Sequence, residues 1–203
     1  MPILASSLTA TGVFWACLSL AAAILTCSGF YLPFWLQGAL FNSTEVSFGS
    51  FRRCSYPRME EDGGVKIVHE CGRYTTFYDI PSISWQISTI TVGIGASTSL
   101  LVAFTAIAAC CVADVVTKRA ARVLGLVQTL TAIIILVGGA IYPNGWGTRE
   151  VQEVCGGISD SYYLGTCQLS WSFYLMGSGV VLLFFCAVLS LWASRIKPHS
   201  YRI

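Results

Sequence analysis

The stretch "SFGSFRRCSYP" at residues 47–57 combines closely spaced aromatic residues, a glycine and a cysteine. It begins twelve residues after Trp35, which closes a long apolar run. Cys71 follows Cys54 by seventeen positions. Two cysteines form a lasting disulfide mainly in an oxidising compartment. The fold therefore depends on which side of a membrane this loop occupies.

Composition predicts an integral membrane protein. The 203 residues are 55% hydrophobic and 11% charged, with a mean hydropathy of +0.67, whereas soluble domains carry about 25% charged residues. Four apolar stretches are long enough to cross a bilayer as helices, and none contains Asp, Glu, Lys, Arg or His. They are residues 8–32, 85–113, 123–142 and 171–194. Their unbroken length predicts an all-α transmembrane four-helix bundle rather than a barrel of short alternating strands.

Basic residues orient the four predicted spans. The short connector 114–122 and the tail 195–203 each hold three Lys or Arg residues, and short loops beside span ends are where the positive-inside rule applies. We therefore expect both termini to be cytoplasmic, in a multi-pass protein of the plasma membrane, with residues 37–84 and 143–170 outside. Residues 1–7 carry no positive charge, which favours a first span over a cleaved signal peptide. We expect a single tetraspan domain over residues 1–203.

The cysteines agree with this orientation, because four of the nine fall in the two outer loops: Cys54, Cys71, Cys155 and Cys167. Four cysteines allow three pairings. Pairing within each loop is favoured, since Cys155 and Cys167 are only twelve residues apart. The one glycosylation sequon, at Asn42, also lies in the first outer loop.

The two outer loops differ in their predicted structure. Alternation in the first predicts antiparallel strands over 46–56 and 64–73, joined by the acidic turn "MEEDGG". In the second, "TREVQEVCG" at 148–156 has helical spacing, and Gly156-Gly157 ends the predicted short helix.

The pattern resembles the claudin-like superfamily, in which a tryptophan follows the first span, then a Gly-Leu-Trp motif and two cysteines. Here it falls on Trp35, Gly49, Phe51, Cys54 and Cys71. Ser50 and Phe51 depart from the motif. That departure, with the cysteine pair of the second outer loop, argues against a true claudin.

A closer resemblance covers nearly the whole chain, and it is to the lipoma-HMGIC-fusion-partner-like tetraspan family. The segments that carry it are "SFGSFRRCSYP" at 47–57, "ECGRY" at 70–74, "YPNGW" at 142–146, "EVQEVCG" at 150–156 and "YLGTCQLSW" at 163–171. The wording "SFRRCSYP" looks most like the founding lipoma-fusion-partner branch. The resemblance implies a four-helix bundle capped by a small extracellular antiparallel β-sheet.

The resembled family includes auxiliary subunits and assembly chaperones of larger membrane proteins, namely an inhibitory receptor and hair-cell transduction machinery. The resemblance therefore implies a non-enzymatic adaptor for a receptor, channel or cadherin-like partner. The alternative is a claudin-like adhesion protein that assembles with itself. A tetraspanin-type organiser ranks third, because that family places its large cysteine-rich loop second.

Two sets of residues are candidates for partner binding. Arg52, Arg53 and Arg58 form either a solvated, salt-paired loop or a docking face for an acidic ectodomain. Small residues in the second span allow close helix approach, either within the bundle or to a partner helix. They are Gly93, Gly95 and Ser97.

The cytoplasmic side offers two further candidates. Cys110 and Cys111, beside the basic connector, are either palmitoylation sites or inert thiols. The terminal Tyr201 and Ile203 have the spacing that a PDZ groove accepts. We predict no catalytic residues, no metal site and no cofactor, because no acid–base or Ser/His/Asp grouping and no phosphate-binding glycine loop is present. The expected partners are a larger integral membrane protein and the lipid bilayer, with no nucleic acid.

Overall fold

The computed structural model describes residues 10–40, 44–59, 65–111 and 118–193. It contains four long apolar helices, each long and hydrophobic enough to cross a membrane. They are α1 (Ala10–Tyr31), α2 (Ile83–Cys111), α3 (Lys118–Ile141) and α5 (Trp171–Ala193). The four-helix prediction is confirmed. Helix α3 begins five residues before the predicted span, because its first turn takes in basic residues that lie outside the apolar run.

The short helix predicted in the second outer loop is also present, as α4 (Arg149–Val154). Gly156 and Gly157 follow with φ angles of 78° and 74°. That left-handed conformation is one that glycine adopts without strain, so the glycine pair ends the helix.

The two loops predicted to lie outside, which keep the name outer loops, form a five-stranded antiparallel sheet in the order β4-β3-β2-β1-β5, and we name the helix ends that adjoin these loops the outer ends. Its strands are β1 (Leu36–Leu40), β2 (Thr44–Phe48), β3 (Arg52–Met59), β4 (Val65–Arg73) and β5 (Gln168–Leu169). Strand β1 pairs with β2 on one side and with β5 on the other. Because β5 comes from the second loop, this pairing joins both loops in one sheet.

The prediction of one strand over 46–56 is wrong, because the chain turns at Gly49 and forms two strands. The Gly49 N–H donates to the Arg52 carbonyl at 2.7 Å. A Cβ atom at Gly49 would lie 2.9 Å from the Leu32 carbonyl oxygen and from the Cα of Pro33. Only glycine therefore allows this turn to approach the end of the first span so closely.

The chain divides into two compact units. One takes residues up to Cys27, Ile94–Ile135 and residues from Gly177, and the other takes Ser28–Gly93 and Leu136–Met176. The first unit holds a core cluster around Trp15, Ala106 and Cys186.

The second unit is centred on three fully buried aromatic residues, Trp35, Trp85 and Tyr142. The Trp85 and Tyr142 rings stack at 4.7 Å, and Trp35 meets Tyr142 edge-on at 4.8 Å. The Trp35 indole N–H donates to the Gly29 carbonyl at 2.6 Å, and the Trp85 indole N–H donates to the Tyr142 carbonyl at 3.0 Å. Buried indoles with satisfied N–H groups fix the outer ends of the helices against the sheet.

Candidate functional site

The claudin-like motif residues have structural contacts in this chain. Trp35 lies in the aromatic core, and Gly49 forms the turn between β2 and β3. The Phe51 ring lies 4.9 Å from the ring of Phe30 and 6.3 Å from that of Tyr31. These contacts tie the first outer loop to the end of α1, so the motif holds the loop in place.

Two disulfides are present in the outer loops. Cys54 is bonded to Cys71 and joins β3 to β4, while Cys155 is bonded to Cys167 and joins the end of α4 to β5. A Cβ atom at Gly38 of β1 would collide with the Cys167 sulfur and with the Val154 side chain. Strand β1 therefore lies directly against the second disulfide.

An arginine–tyrosine–carboxylate cluster connects the two loops beside the sheet. The Arg53 guanidinium lies 4.1 Å from the ring of Tyr56 and 4.6 Å from that of Tyr74. It also forms an ion pair with Glu150 of α4, with side-chain exposures of 25% and 23%. The Tyr74 hydroxyl donates to the Glu150 carboxylate at 3.4 Å. Burial, reinforced by the Glu150 charge, raises the pKa of Tyr74 well above its usual range.

Of the two alternatives for Arg53, the salt-paired one has a partner within the chain, Glu150 of α4, and docking of an acidic ectodomain at Arg53 stays a prediction. Arg52 also has an internal contact. Its guanidinium lies 4.5 Å from the centre of the Tyr31 ring and donates to the Tyr31 carbonyl at 3.4 Å. Arg58 lies in β3, but its side chain is outside the described residues.

The small residues of α2 pack mainly against the chain itself. A Cβ atom at Gly93 would lie 3.1 Å from the Phe30 ring, and one at Gly95 would collide with Ile135. Gly95 is buried, which agrees with the alternative of packing within the bundle, and a partner helix at Gly95 stays a prediction. Ser97 is exposed, and its contact with a partner helix stays a prediction.

The structure reveals an exposed apolar surface in the second loop, which we name the tyrosine tip. It consists of Ile158, Tyr162 and Tyr163, which are 57%, 64% and 57% exposed. Tyr162 has a φ angle of 62°, a left-handed conformation that costs a bulky side chain about 1–3 kcal/mol. Such strain persists only where the surrounding structure imposes it.

Three backbone bonds and one side-chain bond impose this conformation. The N–H of Tyr162 donates to the Pro143 carbonyl at 3.0 Å, and its hydroxyl donates to the Ala140 carbonyl at 3.1 Å. Asp160 and Tyr163 exchange two backbone hydrogen bonds of 3.0 Å and 2.8 Å. The tip therefore has a fixed shape at the outer end of α3.

Sequence reasoning missed the tyrosine tip, although a signal was present. Two consecutive tyrosines follow "SDS" inside a loop closed by Cys155 and Cys167. A short, closed polar loop cannot bury both rings, so at least one of them had to be exposed.

The structure does not describe several of the candidate residues or their side chains. Asn42, Tyr201 and Ile203 lie outside the described residues, as do the side chains of Cys110 and Cys111. Within the described ranges, no group of three His, Cys, Asp or Glu side chains is arranged to hold a metal ion.

Comparison with known proteins decides the family. The sequence profile of the family described as lipoma HMGIC fusion partner-like protein matches residues 11–192. The chain belongs to this family. Among curated members, LHFPL tetraspan subfamily member 2a of Danio rerio is 30% identical, over 90% of this chain and 86% of its own length. Member 3 of Xenopus laevis is 28% identical, over 94% of this chain and 88% of its own.

A third member aligns over a shorter region. LHFPL tetraspan subfamily member 2 of Homo sapiens is 35% identical over 121 residues, which are 59% of this chain and 53% of that protein. Membership of the lipoma HMGIC fusion partner-like family, together with the four apolar helices, identifies a multi-pass tetraspan membrane protein.

Proposed function

We propose that this protein is a non-enzymatic auxiliary subunit, which helps a larger receptor, channel or adhesion protein to assemble or reach the plasma membrane. The observation that carries the proposal is the tyrosine tip, whose strained Tyr162 is held exposed on a disulfide-closed loop. In this proposal the chain acts as one tetraspan domain with both termini in the cytoplasm.

The tip has the chemistry of a binding hot spot. Tyrosine is enriched among the residues that dominate interface energies, because its ring offers a large apolar area and its hydroxyl a hydrogen bond. The disulfide Cys155–Cys167 and the bonds to Pro143 and Ala140 already fix the tip. A preformed loop loses little conformational entropy on binding, so more of the contact energy remains as affinity.

The position of the tip suits a membrane-embedded partner. Because Tyr162 bonds to Ala140 near the end of α3, a partner could contact the outer loop and the adjoining helices together. Selective binding to a folded partner stabilises that partner by mass action, which lets a small subunit control assembly without catalysis.

Asn42 glycosylation, palmitoylation of Cys110 and Cys111, and PDZ binding through Tyr201 and Ile203 belong to the same proposal. Each would assist delivery to the cell surface or retention there.

Cross-linking in native membranes tests the proposal, followed by purification in mild detergent and mass spectrometry of attached proteins. We expect a stoichiometric membrane partner with the wild-type chain. Combining Tyr162→Ala with Tyr163→Ala should lower its recovery about tenfold or more, the size of a hot-spot loss. The matched control is Tyr78→Ala, which removes an even more exposed tyrosine from the first loop and should leave recovery unchanged.

Two outcomes would contradict the proposal. Recovery of only the chain itself, as ladders of oligomers, would favour the claudin-like self-assembling alternative. Equal losses from the tip variant and from Tyr78→Ala would remove the tip as the binding surface.

A further inference from the structure

A pocket of about 300 Å³ lies beside the sheet, at the base of the first outer loop. Its walls differ in chemistry. Phe51, Phe77 and Ile80 are apolar, whereas Arg73, Tyr74, Thr75 and Thr76 bring a cation and three hydroxyl-bearing side chains to the lining. A pocket with this division suits a ligand that is itself part charged and part apolar.

The pocket residues lie close in sequence or in space to the ends of two candidate spans. Ile80 is three residues before Ile83, the first residue of the second candidate span. Phe51, which also lines the pocket, contacts Phe30 and Tyr31, and Tyr31 is the last residue of the first span. Aromatic residues at span ends characteristically mark the membrane–water interface.

A positive charge lines this pocket, and a negative charge lies next to one of its lining residues. Arg73 is exposed, and among the described residues it has no ion-pair partner. Asp79 is held close by, because its carboxylate accepts the Thr76 N–H at 2.7 Å. Phe77, which is 41% exposed, lines the pocket and lies between these two charged residues in the sequence.

We propose that this pocket binds the phosphocholine headgroup of a membrane lipid. The phosphate is bound by the Arg73 guanidinium and the hydroxyls of Thr75 and Thr76, since arginine and hydroxyl donors suit phosphate oxygens. The quaternary ammonium lies against the Phe77 ring, with Asp79 as its counter-charge, because ring faces attract such cations. The first carbons of the lipid chains contact Phe51 and Ile80.

Charge favours this occupant over a purely anionic lipid. A phosphatidylglycerol headgroup offers a phosphate for Arg73, but it brings no cation to Asp79. Its phosphate would therefore be attracted by Arg73 and repelled by Asp79. Phosphocholine carries both a phosphate for Arg73 and a cation for Asp79.

Photolabelling of the purified full-length chain tests the site. The probe is phosphatidylcholine with a diazirine near the headgroup, in detergent micelles or nanodiscs, and labelled peptides are mapped by mass spectrometry. We expect labels on the segment 73–80. Arg73→Gln should reduce labelling about tenfold, because a charge-assisted phosphate contact is lost. Arg73→Lys should keep much of the labelling, and Phe77→Ala should lower it severalfold.

The matched control is Arg149→Gln, which removes another exposed arginine from outside the pocket. It should label like the wild-type chain. Each variant is compared as a monodisperse peak in size-exclusion chromatography, so that misfolded protein is not counted. Labels that fall elsewhere, or that Arg73→Gln and Arg149→Gln reduce equally, would overturn the site.

Competition identifies the ligand chemistry. Unlabelled phosphatidylcholine should displace the probe severalfold better than phosphatidylglycerol, and inorganic phosphate at millimolar concentration should not displace it. Equal competition by phosphatidylglycerol would overturn the choline assignment. Displacement by inorganic phosphate would show a phosphate site rather than a lipid site.

Discussion

The outer loops and the membrane-spanning helices each enclose a polar cluster, and the two clusters use different chemistry. In the outer loops, Arg53 and Glu150 are both charged and about three-quarters buried. In the spans, the polar groups are neutral and fully buried, as with Trp15, Ser19 and Gln128. Each cluster joins residues that are far apart in the sequence.

The cluster in the spans is a closed set of hydrogen bonds. The Trp15 indole N–H donates to the Gln128 amide oxygen at 3.2 Å, and the Gln128 amide N–H donates to the Ser19 hydroxyl at 2.8 Å. Ser19 in turn donates to the Trp15 carbonyl at 2.8 Å. Charged groups are too costly in lipid for this role, so neutral donors and acceptors connect α1 to α3.

The difference shows that the surrounding medium decides whether charged or only neutral polar groups can be buried. At the loops, water still reaches part of the ion pair, and two tyrosine rings stabilise the guanidinium from the sides. Inside the spans, hydrogen bonds between uncharged groups join elements that are distant in the sequence. We therefore expect removal of a partner to cost more in the charged cluster, where an unpaired ion is left partly buried.

The largest loss of folding stability is expected from Glu150→Gln. This variant leaves the Arg53 side chain, which is about three-quarters buried, without its counter-charge and should reduce the free energy of unfolding by about 2 kcal/mol. Denaturant or thermal unfolding in detergent measures the change. The matched control is Glu153→Gln in the same helix, where the pair with Arg149 is exposed and is worth only about 0.3 kcal/mol.

An equal cost for both glutamate variants would mean that the ion pair of Arg53 adds nothing beyond an exposed one. The contrast between the two clusters would then rest on packing rather than on charge.

A smaller effect is expected from Gln128→Leu, which removes the neutral bonds in the spans while keeping the side-chain volume. We expect a loss of about 1 kcal/mol, in the range of hydrogen bonds between membrane helices. Thr129→Val is the control, because within the described part of the chain the Thr129 hydroxyl bonds only inside its own helix, to the Gly125 carbonyl. If Gln128→Leu leaves stability unchanged, the neutral cluster contributes specificity of packing but no net stability.

The smallest effect on folding stability at neutral pH is expected from the titration of Tyr74. Its pKa is raised by burial and by the Glu150 charge, so the folded chain holds this proton more tightly than the unfolded chain. Stability from this group is complete below the unfolded pKa of about 10 and is lost as the pH rises above it.

Unfolding measurements from pH 7 to pH 11 test this sign. The wild-type chain should lose more stability over the alkaline part of the range than Tyr74→Phe does, by up to about 1.4 kcal/mol per pH unit. Parallel pH profiles for the two chains would contradict the assigned burial of the Tyr74 hydroxyl.

The sequence correctly predicted the elements that depend on local composition. Apolar runs located the four spans, and helical spacing before Gly156-Gly157 located α4. It failed at Gly49, where alternation on both sides suggested one continuous strand. The turn there depends on the close approach of Leu32 and Pro33, which are neighbours in space and not in the local pattern.

The sequence by itself determined that this chain crosses a membrane as four helices, because apolar length and the placement of charge are properties of composition. Only the tertiary structure decided which polar groups are already satisfied. Arg53 and Glu150 are 97 residues apart, so no local pattern could predict that they pair. The same holds for Tyr162, whose exposure and strained backbone depend on bonds to Pro143 and Ala140. Contacts between distant residues are made only when the chain folds, and these contacts decide which residues remain available to a partner.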